Sequence, residues 1–98
     1  MGRKVILSPR AIEDLGEIVR YIARDSPDRA LAFGNQLLDR VQQIADFPES
    51  GRAVPEYDNP VAREIIFRNY RIVYRLNPKG NTVEVSRFWH AARGVPEM

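Results

Sequence analysis

The chain has 98 residues, 44% hydrophobic and 29% charged, the balance of an ordinary globular protein, and its length predicts one domain spanning residues 1–98. It has no cysteine and one histidine, which excludes disulfide staples, fits a reducing cytoplasm and argues against a structural zinc site. No stretch reaches the apolar length of a membrane span, the opening MGRKVILSPR is too short in apolar residues for a signal peptide, and the small net charge of +2 hides 8 basic and 10 acidic side chains in residues 1–62 against 7 and 3 in residues 63–98.

KVIL, residues 4–7, reads as a short apolar strand. Ser8-Pro9 then supplies a helix N-cap followed by proline at the first helical position. Ile12, Leu15, Val19 and Ile22, flanked by Ala11 and Ile18, recur at three- and four-residue spacing. This predicts an amphipathic helix to about Arg24, with Glu13, Asp14, Glu17 and Arg20 on its polar side. Ser26-Pro27 repeats the start signal, and Asp28 suits the positive end of a second helix. Ala30, Phe33, Leu37, Val41 and Ile44 form its apolar face, and Phe47-Pro48 ends it. Two helices joined by about two residues make an antiparallel hairpin.

Residues 48–60, PESGRAVPEYDNP, are rich in turn formers and read as an irregular crossing loop. Three strands follow, over about 63–67, 70–76 and 82–89, the last two joined by the turn NPKGN with its glycine. The fold class is therefore α+β, in the order β-α-α-β-β-β. A three-stranded antiparallel meander is expected, with the helices on one of its faces.

The stretch REIIFRNYRIVYRL, residues 63–76, holds four arginines. Alternation along the middle strand places Tyr70, Ile72, Tyr74 and Leu76 under the helices and leaves Arg71, Val73 and Arg75 on the other face. If the turn pairs Leu76 with Thr82, Arg71 lies opposite Arg87. Two facing arginines repel unless an anion or a carboxylate sits between them. Glu56, Glu64 and Glu84 are the internal candidates, and a phosphate is the external one. Arg63, Arg68, Arg71, Arg75, Arg87 and Arg93 are thus the expected anion- or target-binding set. Trp89 reads as core, and His90 closes the last strand.

Taken together, LSPRAIEDLGEIVRYI, SPDRALAFGNQLLDRVQQIADFPESGRAVPE, REIIFRNYRIVYRL and VEVSRFWHAAR resemble the RelE/ParE superfamily of toxins from type II toxin–antitoxin modules, the plasmid stabilisation proteins among them. The resemblance covers nearly the whole chain, and its opening segment looks more like the ParE branch. It implies a toxin held inactive by a cognate antitoxin. The apolar faces of the helical hairpin exceed what a three- to four-stranded sheet needs to cover, so Ile12, Leu15 and Val19 are expected to leave a groove for an antitoxin helix. The resemblance also implies DNA gyrase as the target, inhibited by binding. The alternatives are a metal-free mRNA endonuclease acting on the ribosome, or a degenerate member that only binds its antitoxin. In the nuclease reading Arg71 matches the phosphate-clamping arginine, His90 is the general acid, and Glu56 or Glu64 is the base toward the 2′-hydroxyl. The sequence departs from the nucleases in lacking a terminal catalytic tyrosine and in having only Lys4 and Lys79. No cofactor, metal or membrane is expected.

Overall fold

The computed structural model describes residues 3–58, 61–77 and 81–96. The elements, in chain order, are β1 (Lys4–Leu7), α1 (Pro9–Ala23), α2 (Pro27–Asp46), β2 (Arg52–Ala53), β3 (Ala62–Phe67), β4 (Tyr70–Asn77) and β5 (Thr82–His90), closed by one 3-10 turn over Ala91–Arg93. The expected turn at 77–81 has its central residues, 78–80, outside the described set.

Both helices begin where the caps placed them. The Ser8 hydroxyl accepts from the Ala11 N–H at 3.0 Å and that of Ser26 from the Arg29 N–H at 3.3 Å, with Pro9 and Pro27 at the first helical positions. Ser8 also reaches the far end of the chain, donating to the Ser86 carbonyl at 2.9 Å. α2 ends at Phe47 as expected.

The sheet corrects the expected meander in two respects. It has five strands, in the order β1-β5-β4-β3-β2. β3, β4 and β5 are antiparallel neighbours as expected, but β1 lies parallel to β5, so the sheet is mixed. The loop at 48–60 also contributes a strand: β2 pairs Arg52 with Glu64 and Ala53 with Arg63. A two-residue strand lies below any periodicity, and a parallel pairing across most of the chain has no local signature.

α1 and α2 cover one face, here called inner. Their Ala11, Ile18, Leu37, Val41 and Ile44 meet Ile72, Tyr74, Val83, Val85 and Phe88 of the sheet in the main core. A smaller cluster of Val54, Ala62 and Val73, with Tyr57 against it, lies on the outer face. The alternation read from β4 therefore holds. Beside the core, the Tyr74 hydroxyl accepts from the Gly51 N–H at 3.0 Å and donates to the Pro48 carbonyl at 2.6 Å. A Cβ at Gly51 would overlap that hydroxyl and lie 2.8 Å from the Glu64 carbonyl oxygen, so the close approach requires glycine.

The register between β4 and β5 differs from the expected one. Asn77 pairs Thr82 and Leu76 pairs Val83. An irregularity between Val73 and Tyr74 then shifts the ladder by one more residue, so Arg71 lies opposite Trp89 and Arg87 opposite Val73. Ser86 is the extra residue, as in a β-bulge. The two arginines do not face each other.

Candidate functional site: an arginine–carboxylate face

The outer face is built around Arg71. β4 points it away from the helices, between Ile66 of β3 and Trp89 of β5, and it is only 6% exposed. Its Nε donates to Glu64 Oε1 at 2.6 Å. Its two terminal nitrogens grip Glu56 as a fork, Nη1 to Oε2 at 2.8 Å and Nη2 to Oε1 at 2.5 Å. Glu64, 1% exposed, also accepts from Arg52 Nε at 2.8 Å. Glu56, Arg71, Glu64 and Arg52 thus form a chain of alternating sign with no formal excess charge. A planar guanidinium with two bidentate or edge-on carboxylates is a strong, directional arrangement.

The electrostatics follow. The hydrogen bonds from Arg71 hold the Glu56 carboxyl down at a pKa of about 2. The same carboxylates, Glu56 first and Glu64 second, push Arg71 further up, so both members are ionised at neutral pH. The C-terminal segment folds over this face. Arg71 Nη1 lies 3.4 Å from the Gly94 carbonyl, and Trp89 Nε1 donates to the same oxygen at 3.2 Å. The Tyr57 hydroxyl donates to the Pro96 carbonyl, and burial pushes its pKa up. Arg93 lies over the Trp89 ring at 4.0 Å.

The other expected arginines separate. Arg75 pairs with Glu84 on exposed surface, Nε to Oε1 at 3.0 Å. Arg63 points to the inner side, donating to the Gly51 carbonyl at 2.8 Å. Arg68 sits in the β3–β4 turn, over the Phe67 ring. Arg87 reaches round the end of the sheet to Asp14 of α1, Nε to Oδ2 at 2.7 Å and Nη2 to Oδ1 at 2.9 Å. Asp14 Oδ2 also accepts from the Phe88 N–H at 3.1 Å. β1 stops pairing at Val85, so this carboxylate caps the edge of β5 that β1 leaves open.

Asp14 is the clearest residue that sequence reasoning misplaced. It was assigned to the wet side of α1, yet it is 5% exposed. It shares the buried stripe Ala11–Asp14–Ile18, and its spacing of three and four residues from Ala11 and Ile18 was the available signal. Arg52 was missed because β2 was missed.

Glu56, Glu64 and Arg71 are brought together. His90 is not with them. It pairs with Tyr70, an inner-face residue, and its ring stands edge-on to that of Tyr70 at 5.1 Å. Its Nδ1 accepts from the Ala92 N–H at 3.1 Å. Among the groove residues, Ile12 is 57% exposed, Leu15 packs partly against the core, and Val19 lies against the Gly34 backbone of α2.

Two helices over a mixed five-stranded sheet are a fold that this chain shares with toxins of the RelE/ParE superfamily. A chain of the chromosomal ParDE TA system from P. aeruginosa superposes with a TM-score of 0.73 at 18% identity, covering 90% of this chain and 95% of that one. The E. coli RelBE toxin–antitoxin complex gives 0.66 at 18% identity, covering 91% and 96%. Toxin RelE1 of Caulobacter vibrioides is 30% identical over 88 residues, 88% of this chain and 90% of that toxin. Residues 5–95 match the family described as ParE toxin of type II toxin-antitoxin system, parDE, and the chain belongs to that family.

Proposed function

We propose that this chain acts by binding and inhibiting DNA gyrase, and that a cognate antitoxin neutralises it in the cytoplasm. The observation that carries this reading is the separation of the nuclease residues. Arg71 is held on both edges by Glu56 and Glu64 on the outer face, while His90 stands with Tyr70 on the inner one. A metal-free cleavage of RNA needs the clamp, the base and the proton donor converging on one phosphate. A binding toxin needs only a shaped surface.

The antitoxin partner is supported by the company the fold keeps, since its structural relatives include toxin–antitoxin complexes. It is also supported by exposed apolar side chains on the helical hairpin: Ile12, Leu31 and Leu38. An amphipathic helix laid along the hairpin would cover them.

The endonuclease reading keeps one observation in its favour: Glu56 and Arg71 are in direct contact, as a base and a phosphate clamp would be. Parallel pulse-labelling of DNA and protein synthesis, minutes after inducing the chain alone, separates the two. Arrest of DNA synthesis with continued translation, and stabilised gyrase cleavage complexes with purified toxin, is the expected result. Immediate arrest of translation, lost in Arg71→Ala, would replace gyrase with the ribosome. Growth without arrest would leave only the antitoxin-binding role.

A further inference from the structure

A cavity of about 490 Å³ opens on the inner side of the molecule, away from Arg71. It lies between the turn that joins the helices and the β3–β4 turn, and its size falls in the range of small-ligand pockets. Tyr21, Phe33 and Tyr70 supply aromatic walls, with Arg29, Arg68 and His90 around them. No aspartate or glutamate lines it. This is the reverse of Arg52, Arg71, Arg75 and Arg87, which each have a carboxylate. Among the described residues neither Arg29 nor Arg68 forms an ion pair.

The backbone singles out Arg68. It is the first central residue of the two-residue β3–β4 turn, and its φ is +53°. That position in a hairpin with one left-handed residue favours glycine. An arginine there is strained by about 1 kcal/mol or more, and it places a guanidinium at the mouth of the cavity. The polar lining is set as well. The Ala92 N–H donates to His90 Nδ1, so the neutral ring carries its proton on Nε2, which is left to donate. Burial pushes the Tyr70 hydroxyl up, so it stays a neutral donor.

We propose that this cavity binds a nucleotide unit, its base against the Tyr21, Phe33 and Tyr70 rings and its phosphate between Arg29 and Arg68. Aromatic faces beside paired arginines are the means by which proteins hold single nucleotides without reading sequence. An acidic peptide would answer the arginines but leave the ring faces uncovered. The inference does not rest on gyrase as the target. It concerns different residues from those of the outer face, and its test is read without any toxicity assay.

The chain's one histidine provides the probe. The proton resonances of His90 are followed in the full-length protein at fixed pH during titration with AMP, with inorganic phosphate as the control. Binding of a short fluorescent single-stranded oligonucleotide is followed by anisotropy. A saturable His90 shift with AMP, absent with phosphate, is expected. Tighter binding of the oligonucleotide identifies a nucleic-acid strand as the source, and equal or weaker binding identifies the free nucleotide. Arg68→Gly should weaken either ligand about tenfold, the loss of one charge-assisted contact. It should do so without loss of thermal stability, because glycine accepts the positive φ. Arg29→Glu combined with Arg68→Glu should abolish binding. No His90 response to AMP or strand, an equal response to phosphate, a response only to an acidic peptide, or undiminished binding in these variants would each overturn the proposal.

Discussion

Replacing Asp14 by alanine is the most informative perturbation of the fold. The residue joins α1 to the last strand through two bonds from Arg87 and one from the Phe88 N–H. Its loss takes the Asp14 carboxylate from a guanidinium that is 3% exposed, and breaking a buried pair costs about 3–5 kcal/mol. The orphaned Phe88 N–H adds about 1–3 kcal/mol. These contributions overlap, and a loss of about 4 kcal/mol is expected. At about 4–8 °C per kcal/mol for a domain of this size, the melting temperature should fall by about 15 °C or more. Urea unfolding followed by circular dichroism measures the change. Asp14→Asn keeps one acceptor oxygen and should lose about half as much, which keeps the comparison possible if the alanine variant does not fold. Asp14→Leu with Arg87→Met should recover part of the loss, because an apolar pair carries no unmet charge. A loss below about 1 kcal/mol in Asp14→Ala is what an exposed ion pair gives, and it would refute the reasoning.

Gly51→Ala should destabilise by about 2–3 kcal/mol, the overpacking range, and less when combined with Tyr74→Phe, since removing the hydroxyl makes room; equal losses in both backgrounds would show that the approach of Gly51 to Tyr74 is not tight. The Glu56 carboxyl has a folded pKa of about 2 against an ordinary 4.5, so its contribution is complete above about pH 4.5 and is lost as pH falls toward 2; acid titration of stability should therefore be flatter in Glu56→Gln over that window. Ile12→Asp should leave stability within about 0.5 kcal/mol, as exposed substitutions do, while weakening capture of the cognate antitoxin in pull-down; unchanged capture would move the groove elsewhere.

Much of the architecture was legible because it is local. Two Ser-Pro caps fixed both helix starts, and period-two alternation in β4 sorted core from outer face. What failed was non-local. Asp14 looked solvated because its partner, Arg87, is 73 positions away. The Arg71–Arg87 pairing failed because the turn differed by one residue and the irregularity at Ser86 added another, and neither leaves a mark in the hydrophobic pattern. The candidate site was half legible. Glu56 and Glu64 were named as carboxylates that could answer the arginines, and they do. The distribution of the arginines over two faces required the register.

The link between Ser8 and Ser86, 78 positions apart, has a consequence for the chain as it is made. During synthesis the helical hairpin emerges early, but β1, the Ser8 hydroxyl as a donor and Asp14 must all wait for β5 before they find those partners. Such distant pairings are slow to form and keep apolar surface open meanwhile. For as long as β5 is missing, the inner faces of α1 and α2 lack the strand they are built to cover. If the antitoxin docks on the hairpin as proposed, its surface is on offer before the toxin is complete, and neutralisation then begins as an event of folding, ahead of any encounter between two finished proteins.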